Sequence, residues 1–313
     1  GFTGTLEGNG HTVIFDNVDT ITPLVINGDE YVGLVGKNNG TIKDVIVEGS
    51  FEYTAIGSGN VYMGSIAGTN DGGTIIRSKS DADIKLIINA SYNIIGAIGG
   101  IVGDHRNGTV EEVASLGNVT LEHSGQGAGR PNNNGYAGGI VGRIAVNGVV
   151  KNSYSAGDIS NRVVSSDSNG YREIGGIAGS VYNDGALIEN CFTTSNLFGS
   201  NDPVKGLVGT IVGFDGGGTW TLKNTAGLNA SMTGAASKGA PYARTWSTTS
   251  NMVVMNAFHS SSLGVTTHMS GDRSVSVGST QQDLNNFWIS SLGFDASVWR
   301  WNASEKRPEL AWE

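Results

Sequence analysis

Six near-copies of one short glycine-rich segment divide this chain, and a chain divided in that way folds as a stack of repeats. The copies are Tyr31-Val32-Gly33-Leu34-Val35-Gly36, Met63-Gly64-Ser65-Ile66-Ala67-Gly68, Ile98-Gly99-Gly100-Ile101-Val102-Gly103, Ala137-Gly138-Gly139-Ile140-Val141-Gly142, Ile174-Gly175-Gly176-Ile177-Ala178-Gly179 and Val208-Gly209-Thr210-Ile211-Val212-Gly213. A unit of this size cannot bury its own apolar face, so neighbouring units must share a core. The steps between the final glycines are unequal, which predicts a fixed coil carrying insertions.

Two columns of large aliphatics run through the copies. The first is Leu34, Ile66, Ile101, Ile140, Ile177 and Ile211, each followed by Val or Ala. The second is Ile42, Ile75, Val110, Val150, Ile188 and Leu222. Stacked parallel strands require such columns, because each buried side chain then packs on its equivalent one coil away, about 4.8 Å distant. Two residues beyond the second column stand Asp44, Arg77, Glu112, Asn152, Asn190 and Asn224, the last three forming an expected amide ladder. One further on is a column of small residues, Val45, Ser78, Val113, Ser153, Cys191 and Thr225. The glycine pairs are expected to relieve crowding from an opposite wall, and the final glycine of each copy to take positive φ at a corner.

Composition narrows the class. Gly accounts for 49 of 313 residues and Pro for 5, charged residues for 15%, and the net charge is −9. No basic run is present, which argues against a nucleic-acid partner. No apolar stretch reaches the ~20 residues a membrane helix needs, so the chain is not expected to be membrane-embedded. Cys191 is the single cysteine, so no internal disulfide forms, and its place in a small-residue column marks it as structural. Gly1 in place of Met suggests a monomeric segment excised from a longer protein.

The expected architecture is all-β: a parallel β-helix over residues 1–278, its pattern degenerate after about 226, and a C-terminal cap over 279–313. Thr280-Gln281-Gln282-Asp283 reads as a helix start of capping-box type, with Leu284, Phe287 and Trp288 on one face of a short helix. Four of the six tryptophans fall between Trp288 and Trp312, and are expected to form a lid over the last coil.

The search for chemistry yields little. Asp81 with Asp83, Glu111 with Glu112, and Asp158 with Asp184 are the carboxylate pairs to weigh for glycoside cleavage. Only the first pair shares a strand face, and solvated surface charge is the favoured reading. The five histidines show no metal-ligand spacing, and His105, between Asp104 and Arg106, reads as a turn residue. No metal site, cofactor or catalytic residue is assigned. Two polar insertions, 121–135 and 161–170, are expected to project from one edge, and the binding candidates lie in or beside them: Arg130, Tyr136, Tyr171 and Arg172.

The run Gly138-Gly139-Ile140-Val141-Gly142 followed by Gly148-Val149-Val150-Lys151-Asn152-Ser153-Tyr154-Ser155-Ala156-Gly157 closely resembles the GLUG-motif repeat. Gly4 to Thr12 resembles its lead-in, and Leu292-Gly293-Phe294-Asp295 through Trp312 its close. The resemblance covers almost the whole chain. It implies a right-handed parallel β-helix in a secreted or surface-anchored bacterial protein, such as immunoglobulin-A-specific metalloendopeptidases and adhesin-like proteins. It carries over no catalytic residue, and the zinc-binding His-Glu-x-x-His of those peptidases is absent from this sequence. The expected function is therefore a non-catalytic stalk or recognition module, extracellular or at the cell surface, that binds or positions a host protein or glycan. A zinc-peptidase centre, if the parent protein has one, would lie outside this segment. The alternative is a carbohydrate-active β-helix enzyme, a polysaccharide hydrolase or lyase.

Overall fold

A computed structural model describes residues 1–18, 21–89, 93–124, 133–164, 170–200, 205–234, 237–243, 252–267 and 272–313. Each repeat forms one coil with three walls. In the third coil, wall one is Ile95–Gly99, wall two is Val102–Arg106, and wall three is Thr109–Ser115 followed by Val119–His123. Stacking the coils builds sheets of nine, six and seventeen strands. The pairings run from coil to coil in parallel register, as in Ile98 with Ala137, Val102 with Val141 and Val110 with Val150. The chain is a parallel β-solenoid, and the exception at its first edge is Leu24–Ile26, which pairs antiparallel with Asp29–Val32.

The aliphatic columns form the core. Ile66, Ile101, Ile140, Ile177 and Ile211 are fully buried, as is the whole second column from Ile42 to Leu222. Ala67, Val102, Val141, Ala178 and Val212, which follow those five isoleucines, are buried too, because these residues lie at the corner between walls one and two, where strict alternation lapses. Leu34 is only half-buried. It belongs to the first complete coil, where packing comes from one side.

The corners differ from expectation. None of the final glycines adopts positive φ. They are instead points of backbone contact: a Cβ on Gly142 would lie 2.6 Å from both the Gly103 carbonyl and the Ile98 amide of the preceding coil. The left-handed corner falls in the column Asp44, Arg77, Glu112, Asn152, Asn190 and Asn224, with φ between 45° and 56°. Asn256 continues it at 58°. This corner bends wall three, and Asn is the side-chain-bearing residue that tolerates it best. The expected amide ladder is present: each Asn donates to the one before it, Asn190 to Asn152 at 3.1 Å, Asn224 to Asn190 at 3.0 Å and Asn256 to Asn224 at 3.1 Å. Where the column lacks Asn, Arg77 forks onto Asp44 at 2.8 and 3.0 Å.

The C-terminal segment runs along the flank rather than only over the last coil. One residue past the small column, wall three presents Lys79, Ala114, Tyr154, Phe192, Ala226 and Phe258 in register, coil after coil. From Ala114 to Phe258 this column is apolar, and it forms a second cluster with Phe287, Trp288, Phe294, Trp299 and Leu310. Trp288 meets Phe192 edge-on at 4.7 Å between ring centroids, and Trp299 lies 5.6 Å from Phe192. The segment is itself a short helix, Val277–Thr280, a π-helical turn, Leu284–Ile289, and an antiparallel hairpin, Trp299–Asn302 with Arg307–Leu310. The expected helix begins later than the sequence suggests: Asp283 is its N-cap, accepting from the Asn286 amide at 2.8 Å. An exposed aromatic column cannot stay in water, and the segment covers it.

Candidate binding surfaces

The variable connections converge on one corner. Wall three of successive coils ends at Ala55, Ile88, His123, Val163 and Phe198, and wall one resumes at Val61, Ile95, Asn134, Arg172 and Gly206. In these five coils the longest connection therefore leaves the solenoid between walls three and one, and the coil spacing sets the points of departure side by side along a single edge. Most of the residues of the insertions after His123 and Val163, 125–132 and 165–169, lie outside the described residues, and Arg130 is among them.

The other three candidates are placed differently from a projecting loop. Tyr136 lies within the strand Asn134–Gly138 and is 2% exposed, and Arg172 opens the strand Arg172–Gly175 and is 1% exposed. Tyr171 precedes that strand and is half-buried. Register explains Arg172. It pairs with Gly135 one coil earlier, and a Cβ at Gly135 would strike the His123 ring. Arg172 thus faces the interior, donating to the Asn133 carbonyl and, at 2.9 Å, to that of Tyr171.

Tyr136 belongs to a seam on the other face of wall one. Its hydroxyl lies 3.1 Å from that of Tyr182, and Tyr182 packs on Phe214 at 5.9 Å. Glu173, in register with Tyr136, is 1% exposed, and burial holds its carboxyl well above the usual range against the pull of Ser180 and Arg172. Further along, Asp104 is fully buried between Arg106 and Arg143, the latter at 2.6 Å. Arg143 lies over the Tyr62 ring, 5.1 Å from its centroid. Burial works against its charge, and the Asp104 carboxylate more than offsets that. Walls one and two are locked together here by charge and aromatic contact, an arrangement the repeat pattern did not disclose.

At least one member of each carboxylate pair bonds to the scaffold. Asp83 accepts from the Asn118 amide at 2.7 Å, Asn118 accepts from the Asp158 amide at 2.9 Å, and Asp158 accepts from Asn196 at 3.0 Å. That is a second corner ladder. Asp184 accepts from the Thr219 amide at 2.6 Å, and Glu111 pairs with Lys151 at 2.9 Å. Asp81 is exposed. His105 is no turn residue: it sits in the strand Val102–Arg106, fully buried, with Nε2 3.1 Å from the Val149 carbonyl. Burial pushes the Cys191 thiol up to about 12, far from thiolate reactivity at neutral pH. Among the described residues no three His, Cys, Asp or Glu side chains are grouped to hold a metal ion. No helix among them is long and apolar enough to cross a membrane.

Where the C-terminal segment bridges onto wall three it leaves two adjoining clefts, of about 390 and 290 Å³. Ala156, Glu305 and Arg307 line both, so they form one groove. Sequence reading missed this groove. Its signal was the run of Tyr154, Phe192 and Phe258 one residue past the small-residue column.

No family model matches the chain. Over 105 residues, 33% of its length, it is 32% identical to Halomucin of Haloquadratum walsbyi, and the match spans 1% of that protein. A crystal structure from Bacteroides ovatus, described as a "putative immunoglobulin A1 protease", is similar over 97% of this chain and 87% of that one, with a TM-score of 0.51 and 19% identity. At that identity the likeness is one of fold.

Proposed function

We propose that this chain is a β-helical module of a secreted or cell-surface protein, built from GLUG-type repeats, that presents a row of loops to a host protein or glycan. One observation carries the reading: in five successive coils the longest and most variable connection is the one that leaves wall three and returns to wall one, while the aligned columns are consumed by the scaffold. A rigid solenoid with variable loops on one edge is suited to recognition, since loops supply adaptable contacts and the scaffold fixes their spacing. The similarity to Halomucin, of which the match spans 1%, supports a place in a large protein. The corner ladder through Asp83 and Asp158 and the Thr219 amide on Asp184 give these carboxylates a structural role, which favours binding over hydrolysis.

The test is to replace residues 125–132 and 165–169 by short Gly-Ser turns, leaving Asn133 and Gly170 in place. Circular dichroism and melting temperature check that the solenoid persists. Binding of the intact chain to a panel of immobilised host glycoproteins and glycans is then compared with that of the shortened chain. A loss of tenfold or more is expected. Unchanged binding, or no binding of the intact chain across the panel, would sink the reading.

A further inference from the structure

The groove beneath the C-terminal segment has a length, a floor and a charge, and together they define a ligand class. Its floor is the outer face of wall three. Lys79, Leu116, Ala156, Thr194 and Leu228 come from five successive coils, so at about 4.8 Å per coil the floor extends roughly 20 Å along the solenoid axis. The overhang is the turn of the hairpin, Glu305, Lys306 and Arg307. Leu116, Ala156 and Leu228 lie beside the hydroxyl and amide groups of Thr194, Gln281 and Asn302, a mixed lining that suits a sugar ring with one apolar face and a polar rim.

The charges in the groove do not balance. Glu309 is engaged by Arg300 at 2.7 Å and Asn302 at 2.6 Å. Glu313 accepts from the Tyr154 hydroxyl at 3.0 Å and from the Leu310 amide at 2.9 Å, with Lys79 4.0 Å away. Those two acids are committed to holding the segment in place. Arg307 lies over the Tyr154 ring, 4.6 Å from its centroid, and donates from Nη1 to the Pro308 carbonyl at 3.3 Å. Lys306 beside it is exposed and takes a left-handed backbone, φ 53°, that turns it away from the hairpin ladder. The lining carries Lys79, Lys306 and Arg307 against Glu305, Glu309 and Glu313, and Arg300 on Glu309 leaves the groove and its rim with a local surplus of one positive charge, on a chain whose net charge is −9.

A peptide is the poorer fit. The floor strands Tyr154–Ser155 and Phe192–Thr193 are paired on both sides, so an extended peptide would find no open edge to extend. We propose that this groove binds an acidic saccharide, a sugar chain carrying carboxylate or sulfate groups, laid along the axis with its acidic group at Lys306 and Arg307. The site is separate from the loop edge described under the proposed function and does not depend on it.

The experiment is calorimetric titration of the intact chain with sulfated and uronate oligosaccharides, a neutral oligosaccharide of equal length, and oligoglutamate. The loop-shortened chain is titrated in parallel and is expected to bind the acidic saccharides unchanged, which separates this site from the loop edge. The acidic saccharides bind, their affinity falls as salt rises, and K306Q and R307Q each weaken them by about tenfold, or about 1.4 kcal/mol. Lys306 is exposed on a turn, so K306Q reads the charge without touching the core, while the melting temperature of R307Q reports whether the segment stays docked. Equal binding of the neutral sugar, equal binding of oligoglutamate, no binding at all, or an unchanged affinity in K306Q would each overturn the proposal.

Discussion

The Tyr154 hydroxyl donates to both carboxylate oxygens of Glu313, at 3.1 and 3.0 Å, across 159 residues of sequence. Beside it, the Trp312 indole donates to the Glu112 carbonyl at 3.2 Å. The last residues of the chain are thereby fastened to its early coils. Removing the hydroxyl in Y154F forfeits a hydrogen bond to a charged acceptor, worth about 1.5–3 kcal/mol. Trp299→Ala, which empties the site beside Phe192 and Tyr154, is expected to cost about 3–5 kcal/mol. Urea unfolding reads both, and losses below 0.5 kcal/mol in either variant, about the scatter of surface substitutions, would show that the segment contributes little.

The left-handed corner of wall three predicts a stabilising change. Glu112 holds φ at 51° in a column where Asn is the better residue, and burial with the neighbouring Glu111 charge raises its pKa. Glu112→Asn is expected to gain about 0.5–1 kcal/mol by relieving both. Asn190→Ala should lose about 1–2 kcal/mol, since it cuts the ladder on both sides and leaves an alanine at positive φ. Chemical denaturation midpoints decide it, and a destabilised Glu112→Asn would contradict the account of the corner.

Gly139 predicts the opposite. A Cβ there would collide with the Gly176 carbonyl oxygen and with Ser155 Oγ, both fixed by the neighbouring walls. Gly139→Ala should destabilise by ~3 kcal/mol or more, at the upper end for overpacking. Soluble yield and melting temperature are the measurements.

Two buried groups give opposed pH slopes. Glu173 is held protonated in the fold, whereas the unfolded chain ionises it above about 4.5, so stability falls as pH rises from there toward the folded pKa. His123 is kept neutral by burial and by the Arg172 charge, whereas the unfolded chain protonates it below about 6.5, so stability falls as pH drops from there. Between these values the two trends offset. Glu173→Gln removes the first, so its stability relative to the parent should rise with pH across this window, by up to about 1.4 kcal/mol per pH unit. Urea titrations at pH 4.5, 5.5 and 6.5 test the sign.

Cys191 should be silent toward a thiol reagent in the native state and react at the rate of unfolding, because its thiol is fully buried and donates to the Glu189 carbonyl at 3.2 Å. Rapid labelling under native conditions would contradict that placement.

The aliphatic columns and the Asn ladder were legible because parallel stacking repeats the same environment once per coil, so sequence alignment and spatial register coincide. Ile101 and Ile140 follow each other in both. The glycines misled for a physical reason. Glycine permits positive φ but also permits backbone contact, and the sequence does not separate the two at Gly103 or Gly142. Tyr136 and Arg172 look like loop residues because they adjoin polar insertions, yet register places them in wall one. The flanking segment was hidden because its partners, Ala114, Tyr154, Phe192 and Ala226, differ in size and are separated by whole coils.

That segment also counts coils. A solenoid without it could gain or lose a unit anywhere, since each coil meets only its neighbours. Here Glu112 must meet Trp312, Tyr154 must meet Glu313, and Asn256 must reach the Ser291 and Leu292 carbonyls at 2.9 and 3.3 Å. Deleting one coil between Glu112 and Asn256 would shift one set of partners by about 4.8 Å while leaving the others in place. The strap therefore acts as a ruler, and the number of coils beneath it is fixed by its length.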